Sequence, residues 1–238
     1  MSLSKDSQKE IDEMVKRYES LAASWLMPGE ELIWQKPTPT AHVASVIGGR
    51  LQAPHAPLRD IDVVKGDSSE WRTPSQVVIE ERFLADEWAD DPAIHCWATA
   101  EHPENESIRF ADHLAAAHGH PEMIATNHRI ALVLDTSLII DDVQESDSTS
   151  EGLLGKARRV ARQAQEAASE LSIWNGTSKM ISFYEIEIDR VENFSSSHLG
   201  RSIPRREFLR VEFFDGSNTI IESGDSDKHA QKLNELIR

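Results

Sequence analysis

Cysteine is nearly absent from this chain, with one residue, Cys96, in 238. A lone thiol excludes an internal disulfide framework and a cysteine-built zinc site, and it fits a cytoplasmic protein. Long apolar runs are missing as well. The longest, such as Ile130 to Leu134, fall far short of the ~20 residues that a membrane-spanning helix needs, and the start, MSLSKDSQKE, has no apolar signal region. Basic residues are scarce, at 25 Lys+Arg against 41 Asp+Glu, for a formal charge of -16. Nearly all of that excess lies in residues 1–150, which are net -15, while residues 151–238 are net -1. Such a field repels phosphate backbones and anionic lipids, which makes nucleic acid a poor partner unless a local basic patch overrides it.

Familiar catalytic signatures are also lacking. Gly48-Gly49 has neither the lysine nor the spacing of a phosphate-binding loop, and there is no nucleophile elbow. Cys96 follows His95 on an apparent strand, where neighbours point to opposite faces, so His95 is badly placed to activate it. The thiol reads as a small buried hydrophobe. The six tryptophans are scattered without pattern and read as core.

What is present is a mixture of helical and strand periodicities, with no internal repeat. Residues 7–26 carry Ile11, Met14, Val15, Tyr18, Leu21 and Ala22 at helical spacing and end at Pro28-Gly29. Short strands follow over 31–35 and 42–47, and then Gly, Pro, Asp and Ser mark 48–70 as a long surface loop. Thr73-Pro74 opens an expected helix through Val77, Val78, Glu81, Leu84 and Trp88. A strand over 94–98, a helix capped by Asn105 or Ser107 that runs to His118, and a hairpin turning at Thr126-Asn127-His128 come next. An acidic, polar connection over 141–152 leads to a helix over 153–171. The last sixty residues alternate at period two in FYEIEIDRVENF and LRVEFFDGSNTII, turn at Asp215-Gly216, and close in a helix with Ala230, Leu233, Leu236 and Ile237 on one face.

Four pieces of this pattern carry a family likeness: MPGEELIW at 27–34, ATNHRIALVL at 125–134, the strand pair EIEIDRVENF and LRVEFFDGSNTII, and the closing helix SDKHAQKLNELIR. Together and in this order they resemble the bacterial pleckstrin-homology-like and GRAM-like domains. The resemblance implies an α+β fold in which a bent antiparallel sheet or barrel is plugged by the C-terminal helix. It implies an N-terminal helix over 1–28 and a PH-like domain over 29–238, with helical insertions at about 48–120 and 141–175. It also implies a binding module for phosphoinositides or peptides. The segment that would form the lipid-binding loop, KPTPTAH, offers only Lys36 and His42, which disfavours a lipid there.

Three clusters are candidates for chemistry. His113, His118, His120 and His128, with Asp112, crowd into 17 residues and suggest a metal. However, a spacing of five sets His113 and His118 about 140° apart on a helix. Arg158, Arg159 and Arg162, with Lys156, occupy the first half of their helix, opposite to what the helix dipole favours, and suggest an acidic partner or anion. Arg201, Arg205 and Arg206 read as part of a loop that also carries Ser195, Ser196, Ser197, His198 and Gly200, suited to bind a phosphate or carboxylate. The expectation is a non-enzymatic binding or assembly module without a cofactor, which takes a protein partner or self-associates. A metal-dependent hydrolase built on the histidines, or a regulator contacting nucleic acid through the basic helix, would be the other functions.

Overall fold

The computed structural model describes residues 21, 24–61, 64–139 and 179–237. The chain divides into two compact units, Met1–Trp25 with Asp135–Ile181, and Leu26–Leu134 with Ser182–Arg238. The first unit falls mostly outside the described residues. So do the expected connection over 141–152, the expected helix over 153–171 with Arg158, Arg159 and Arg162, and most of the N-terminal helix.

Ten strands and three α-helices are described: Leu32–Pro37 (β1), His42–Ile47 (β2), Arg50–Gln52 (β3), Gln76–Ile79 (α1), Ile94–Ala100 (β4), Glu106–Ala116 (α2), Glu122–Thr126 (β5), Arg129–Asp135 (β6), Met180–Glu187 (β7), Val191–Leu199 (β8), Arg206–Phe213 (β9), Asn218–Glu222 (β10) and Ser226–Asn234 (α3). They form two sheets, of order β1-β5-β6-β7 and β3-β2-β4-β10-β9-β8. The fold is therefore α+β with a C-terminal helix, as the sequence suggests. The described strands lie in two open sheets and close no barrel. The second sheet is mixed, because β2 and β4 pair in parallel through Val43↔Cys96 and Ser45↔Ala98. That connection spans residues 48–93, long enough for a crossover.

Three further expectations need correction. FYEIEIDRVENF is not one strand: a 3-10 turn at Ile188–Arg190 breaks it, and β7 and β8 belong to different sheets. Ser195, Ser196, Ser197 and His198 are not in a loop but in β8, paired with β9. The helix expected from Thr73 to Trp88 shrinks to the single turn of α1, capped by the Ser75 side chain, followed by a 3-10 turn at Glu87–Asp90. Glu81 and Ala85, at φ 54 and 53, interrupt it. Both lie in the left-handed region, where a right-handed helix cannot continue.

The interruption has a packing reason. One core cluster joins the sheets and helices through Trp34, Val43, Phe110, Leu132, Phe194, Leu209 and Leu233. A second cluster, with Ala44, Ile94, Trp97, Phe208 and Ile220, packs against Val78, Ala89 and Trp88 from the 76–91 segment. Trp88 lies 4.4 Å from Trp97 and 6.4 Å from Phe208, between ring centroids. The second sheet is thus buried on both faces, which explains why β4 is apolar almost throughout rather than alternating. A continuous helix would carry Trp88 away from that cluster.

The turn between β9 and β10 is as tight as Asp215-Gly216 suggests. The Gly216 amide donates to the Phe213 carbonyl at 2.9 Å, and Gly216 sits at φ +80. Asp215 also accepts from the Glu106 amide at 2.7 Å and so caps α2. A Cβ at Gly216 would meet no atom within 4 Å, so a substitution there costs backbone strain alone. Gly216→Val should lower stability by more than about 1 kcal/mol in urea unfolding. A neutral result would contradict the left-handed turn.

Candidate functional site

The Arg201–Arg206 segment satisfies its anion-binding potential internally. The Arg201 amide donates to Asp90 Oδ2, the Gly200 amide to Asp86 Oδ2 at 3.1 Å, and the Arg201 guanidinium pairs with Glu87. Hydrogen bonding from the Arg201 amide is the main reason that the Asp90 carboxyl is held below its ordinary range. Arg205 lies 3.7 Å from Asp86. Arg206 forks onto Glu222, with Nε to Oε1 at 3.1 Å and Nη2 to Oε2 at 2.6 Å, and donates to the Ala89 carbonyl. The anions that this cluster holds are Asp86, Glu87 and Asp90 of the acidic 86–91 segment and Glu222 of β10.

The two short motifs of the family likeness meet in space. Arg129 donates from Nε and Nη2 to the two oxygens of Glu30, both at 2.8 Å, with the Glu30 side chain wholly buried. The Thr126 hydroxyl donates to Glu30 Oε1 at 2.7 Å and accepts the amides of His128 and Arg129, both at 3.1 Å. The Met27 amide donates to Glu30 Oε2 at 2.9 Å. Asn127 closes the clasp, accepting the Glu31 amide at 2.9 Å and donating to the Gly29 carbonyl at 3.3 Å. Burial pushes the Glu30 pKa up, but hydrogen bonds from Arg129, Met27 and Thr126 outweigh it and hold the group below its ordinary value.

A third network has the composition of a catalytic triad. His55 Nε2 lies 2.8 Å from Asp112 Oδ1, and His55 Nδ1 lies 2.7 Å from Ser45 Oγ. Its geometry is that of a lock. Ser45 and Asp112 are wholly buried, so no substrate atom reaches the hydroxyl. Asp112 also accepts the Leu58 amide at 3.0 Å and the Arg59 guanidinium. Burial raises the Asp112 pKa, yet hydrogen bonds from His55, Leu58 and Arg59 win and keep it below the ordinary carboxylate value. The segment expected as a free surface loop is therefore pinned against α2 through His55, Leu58 and Arg59.

That pinning makes a cleft. Among the described residues, 54–61 and 64–71 form one wall and α2 and β2 the others, around a space of about 340 Å3. His42, Val64, Ser68, Trp71, Leu114 and His118 are among its lining residues. The rings of His42 and Trp71 lie 5.2 Å apart at 59°. Burial lowers the His42 pKa, outweighing a hydrogen bond to the Arg72 backbone and the charge of Asp91, and so favours the neutral imidazole. Gly66 passes so close to the turn after α2 that a Cβ there would sit 2.8 Å from His118 Cβ.

The four candidate metal histidines have separate surroundings. His113 Nδ1 donates to the Arg109 carbonyl at 2.7 Å, and its ring stacks on Tyr184 at 4.3 Å. His118 follows the C-cap of α2 at φ 49 and lines the cleft. His120 and His128 are exposed. Among the described residues no group of three or more His, Cys, Asp or Glu side chains is arranged to hold a metal. Cys96 is fully buried, and burial pushes its thiol up to about 12.

The clasp was visible in the sequence only as two unconnected motifs, whereas the His55 lock and the cleft gave no signal. His55 stands between prolines in APHAP, 57 residues from Asp112, a separation that no local periodicity reports. No protein-family model, curated protein or solved structure matches the chain.

Proposed function

We propose that this chain is a non-enzymatic binding or assembly module of the pleckstrin-homology-like kind, working in the cytoplasm. The observation that carries the proposal is the clasp between Glu30 and the Thr126-Asn127-His128-Arg129 turn. The segments that prompted the resemblance hold each other across 99 residues, the role expected of fold-defining motifs rather than of catalytic ones. The buried Ser45–His55–Asp112 network adds support, since its members are committed to one another. No described helix is long and apolar enough to cross a membrane. The strongly acidic 1–150 region and the basic cluster at Arg158, Arg159 and Arg162 favour a protein partner, including a second copy of the chain.

Metal analysis of the purified protein, paired with sedimentation at low and high salt, tests this reading. It expects substoichiometric metal, and self-association that weakens with salt and with Arg158→Glu/Arg159→Glu. Stoichiometric zinc, manganese or iron that disappears in His113→Ala/His118→Ala would replace it with the hydrolase reading.

A further inference from the structure

We propose that Lys36 is a nucleophilic lysine whose amine captures small aldehydes and holds them as an imine. Such a site does not depend on a protein partner. Its placement starts in β1. Trp34 and Lys36 stand two residues apart on that strand and so share a face. Trp34 is in the core between the sheets, beside Phe194 and Leu209 of the second sheet, so Lys36 runs from the first sheet toward the second. The groups that act on its charge stand at the rim of that second sheet: Glu222 is the last residue of β10, Arg206 is the first of β9, and Cys96 lies near the start of β4.

What the amine lacks is a partner. Lys36 is half-buried, yet its side chain makes no hydrogen bond and no ion pair among the described residues. The carboxylate that acts on it, Glu222, is taken by Arg206, which donates to its two oxygens from Nε at 3.1 Å and from Nη2 at 2.6 Å. Lysines are ordinarily exposed, or paired when they are buried, and Lys36 is neither. Burial, opposed by Glu222 and Cys96 and reinforced by Arg206, holds its pKa below the ordinary lysine value. More of it is then the free amine at neutral pH, which carries the lone pair that a nucleophile needs.

A second group at the same rim is unsatisfied. His95 in β4 is 3% exposed. The backbone of Ala41 and His42 lies beside its ring, but neither ring nitrogen has a partner in hydrogen-bonding geometry. Burial first and the charge of Lys36 second push its pKa down to about 4, so the imidazole is neutral and offers one N–H and one bare nitrogen. A buried donor and acceptor left empty cost free energy. The adduct of an amine with an aldehyde brings a hydroxyl and an N–H to that neighbourhood, the complement of what His95 offers. His229 of α3 also feels the charge of Lys36, and its Nδ1 lies 3.0 Å from Ser223 Oγ.

The step needs nothing beyond the aldehyde. The Nζ lone pair forms a bond to the carbonyl carbon as the carbonyl π bond breaks, and one proton moves from nitrogen to oxygen. The resulting carbinolamine loses its hydroxyl and the second nitrogen proton as water, which leaves the imine. Nothing is oxidised or reduced, and water reverses the linkage. Reversible capture suits a module that binds without turnover.

Propanal at limiting concentration, with sodium cyanoborohydride to reduce the imine to a stable N-propyl group, tests the proposal on the full chain at neutral pH. Peptide mass mapping reads the rate at each lysine. Lys36 should be labelled at least about fivefold faster than Lys228 or Lys232, although both are more exposed. Denaturation in urea should abolish that preference, because it comes from the folded surroundings. Arg206→Met removes the fork from Glu222 and frees that carboxylate to pair with Lys36, so labelling of Lys36 should fall at least about threefold while Lys232 is unchanged. The map of the parent protein decides the matter if that variant fails to fold. Labelling of Lys36 no faster than of the exposed lysines, a preference that survives urea, or an unchanged rate in folded Arg206→Met would overturn the proposal.

Discussion

Arg129→Met should destabilise the protein by about 3–5 kcal/mol, the usual cost of removing one partner from a buried ion pair. The methionine keeps most of the arginine stem and its packing. It removes the fork that donates to both oxygens of Glu30, whose side chain is wholly buried. What remains is a carboxylate supported by the Thr126 hydroxyl and the Met27 amide alone. The cost comes from the stranded charge rather than from the lost attraction, so adding Glu30→Gln should recover at least half of it. Glutamine carries no charge and keeps one acceptor oxygen, which serves the Met27 amide or the Thr126 hydroxyl but not both. A double-mutant cycle in urea measures the coupling. If the single variant lost less than about 1 kcal/mol, the pair would behave as an exposed one and the clasp would not fasten the fold.

The pH dependence of the same pair has a definite sign. Glu30 has a folded pKa below its ordinary value, so its contribution is fully present above the unfolded pKa. It is lost as pH falls through the lower, folded one. Asp112 is depressed in the same direction, and the protein should weaken on acidification below the ordinary carboxylate range. In Arg129→Met the arginine's lowering of the Glu30 pKa is gone while burial still opposes the charge, so the penalty shrinks as Glu30 takes up a proton. The stability gap between parent and variant should therefore be widest at neutral pH and close in acid. A gap that is constant with pH would mean that Glu30 is not charged in the folded protein.

The parts of this fold that were legible in the sequence are those whose cause is local. Thr126-Asn127-His128 and Asp215-Gly216 announce turns by their own chemistry, and Ala230 and Leu233 mark a buried helix face by spacing. The illegible parts have causes far away in the chain. Val77, Val78 and Leu84 imitate a helical stripe, yet Val77 and Leu84 are 44% and 67% exposed, and only Val78 of the three is core. The pattern was coincidental, and the demand that Trp88 reach Trp97 and Phe208 decided the backbone. The period-two run from Phe183 to Phe194 looks like one strand, and nothing in the alternation reveals that the chain breaks and changes sheets at Ile188–Arg190. Parallel pairing of β2 with β4 is equally silent, because each strand looks the same whatever its neighbour. The arginines at 201, 205 and 206 were recognised as anion-binding by type. Their anions, Glu87, Asp86 and Glu222, are supplied by the chain itself.

Leu233→Ala should cost on the order of 3–4 kcal/mol. Helical spacing places Leu233 and Leu236 on one face, and the structure separates them by depth: Leu233 is fully buried, whereas Leu236 is partly buried at the edge of the same cluster. Leu233 packs among Trp34 from the first sheet and Phe194, Leu209 and Val211 from the second, so its removal opens the core where the two sheets meet. The void already present there is only about 10 Å3. Collapse of α3 into the new space is opposed by Asn234, whose side chain accepts the Phe194 amide at 2.9 Å and donates to the Phe194 carbonyl at 2.6 Å. That two-point anchor fixes the helix on the edge strand β8, so the cavity should persist and its full cost should appear. Leu236→Ala, at the margin, should cost about half as much or less. Urea unfolding of the two variants gives the comparison directly. Equal costs would mean that α3 seats differently on the sheets, and no loss at either position would mean that α3 does not close this core.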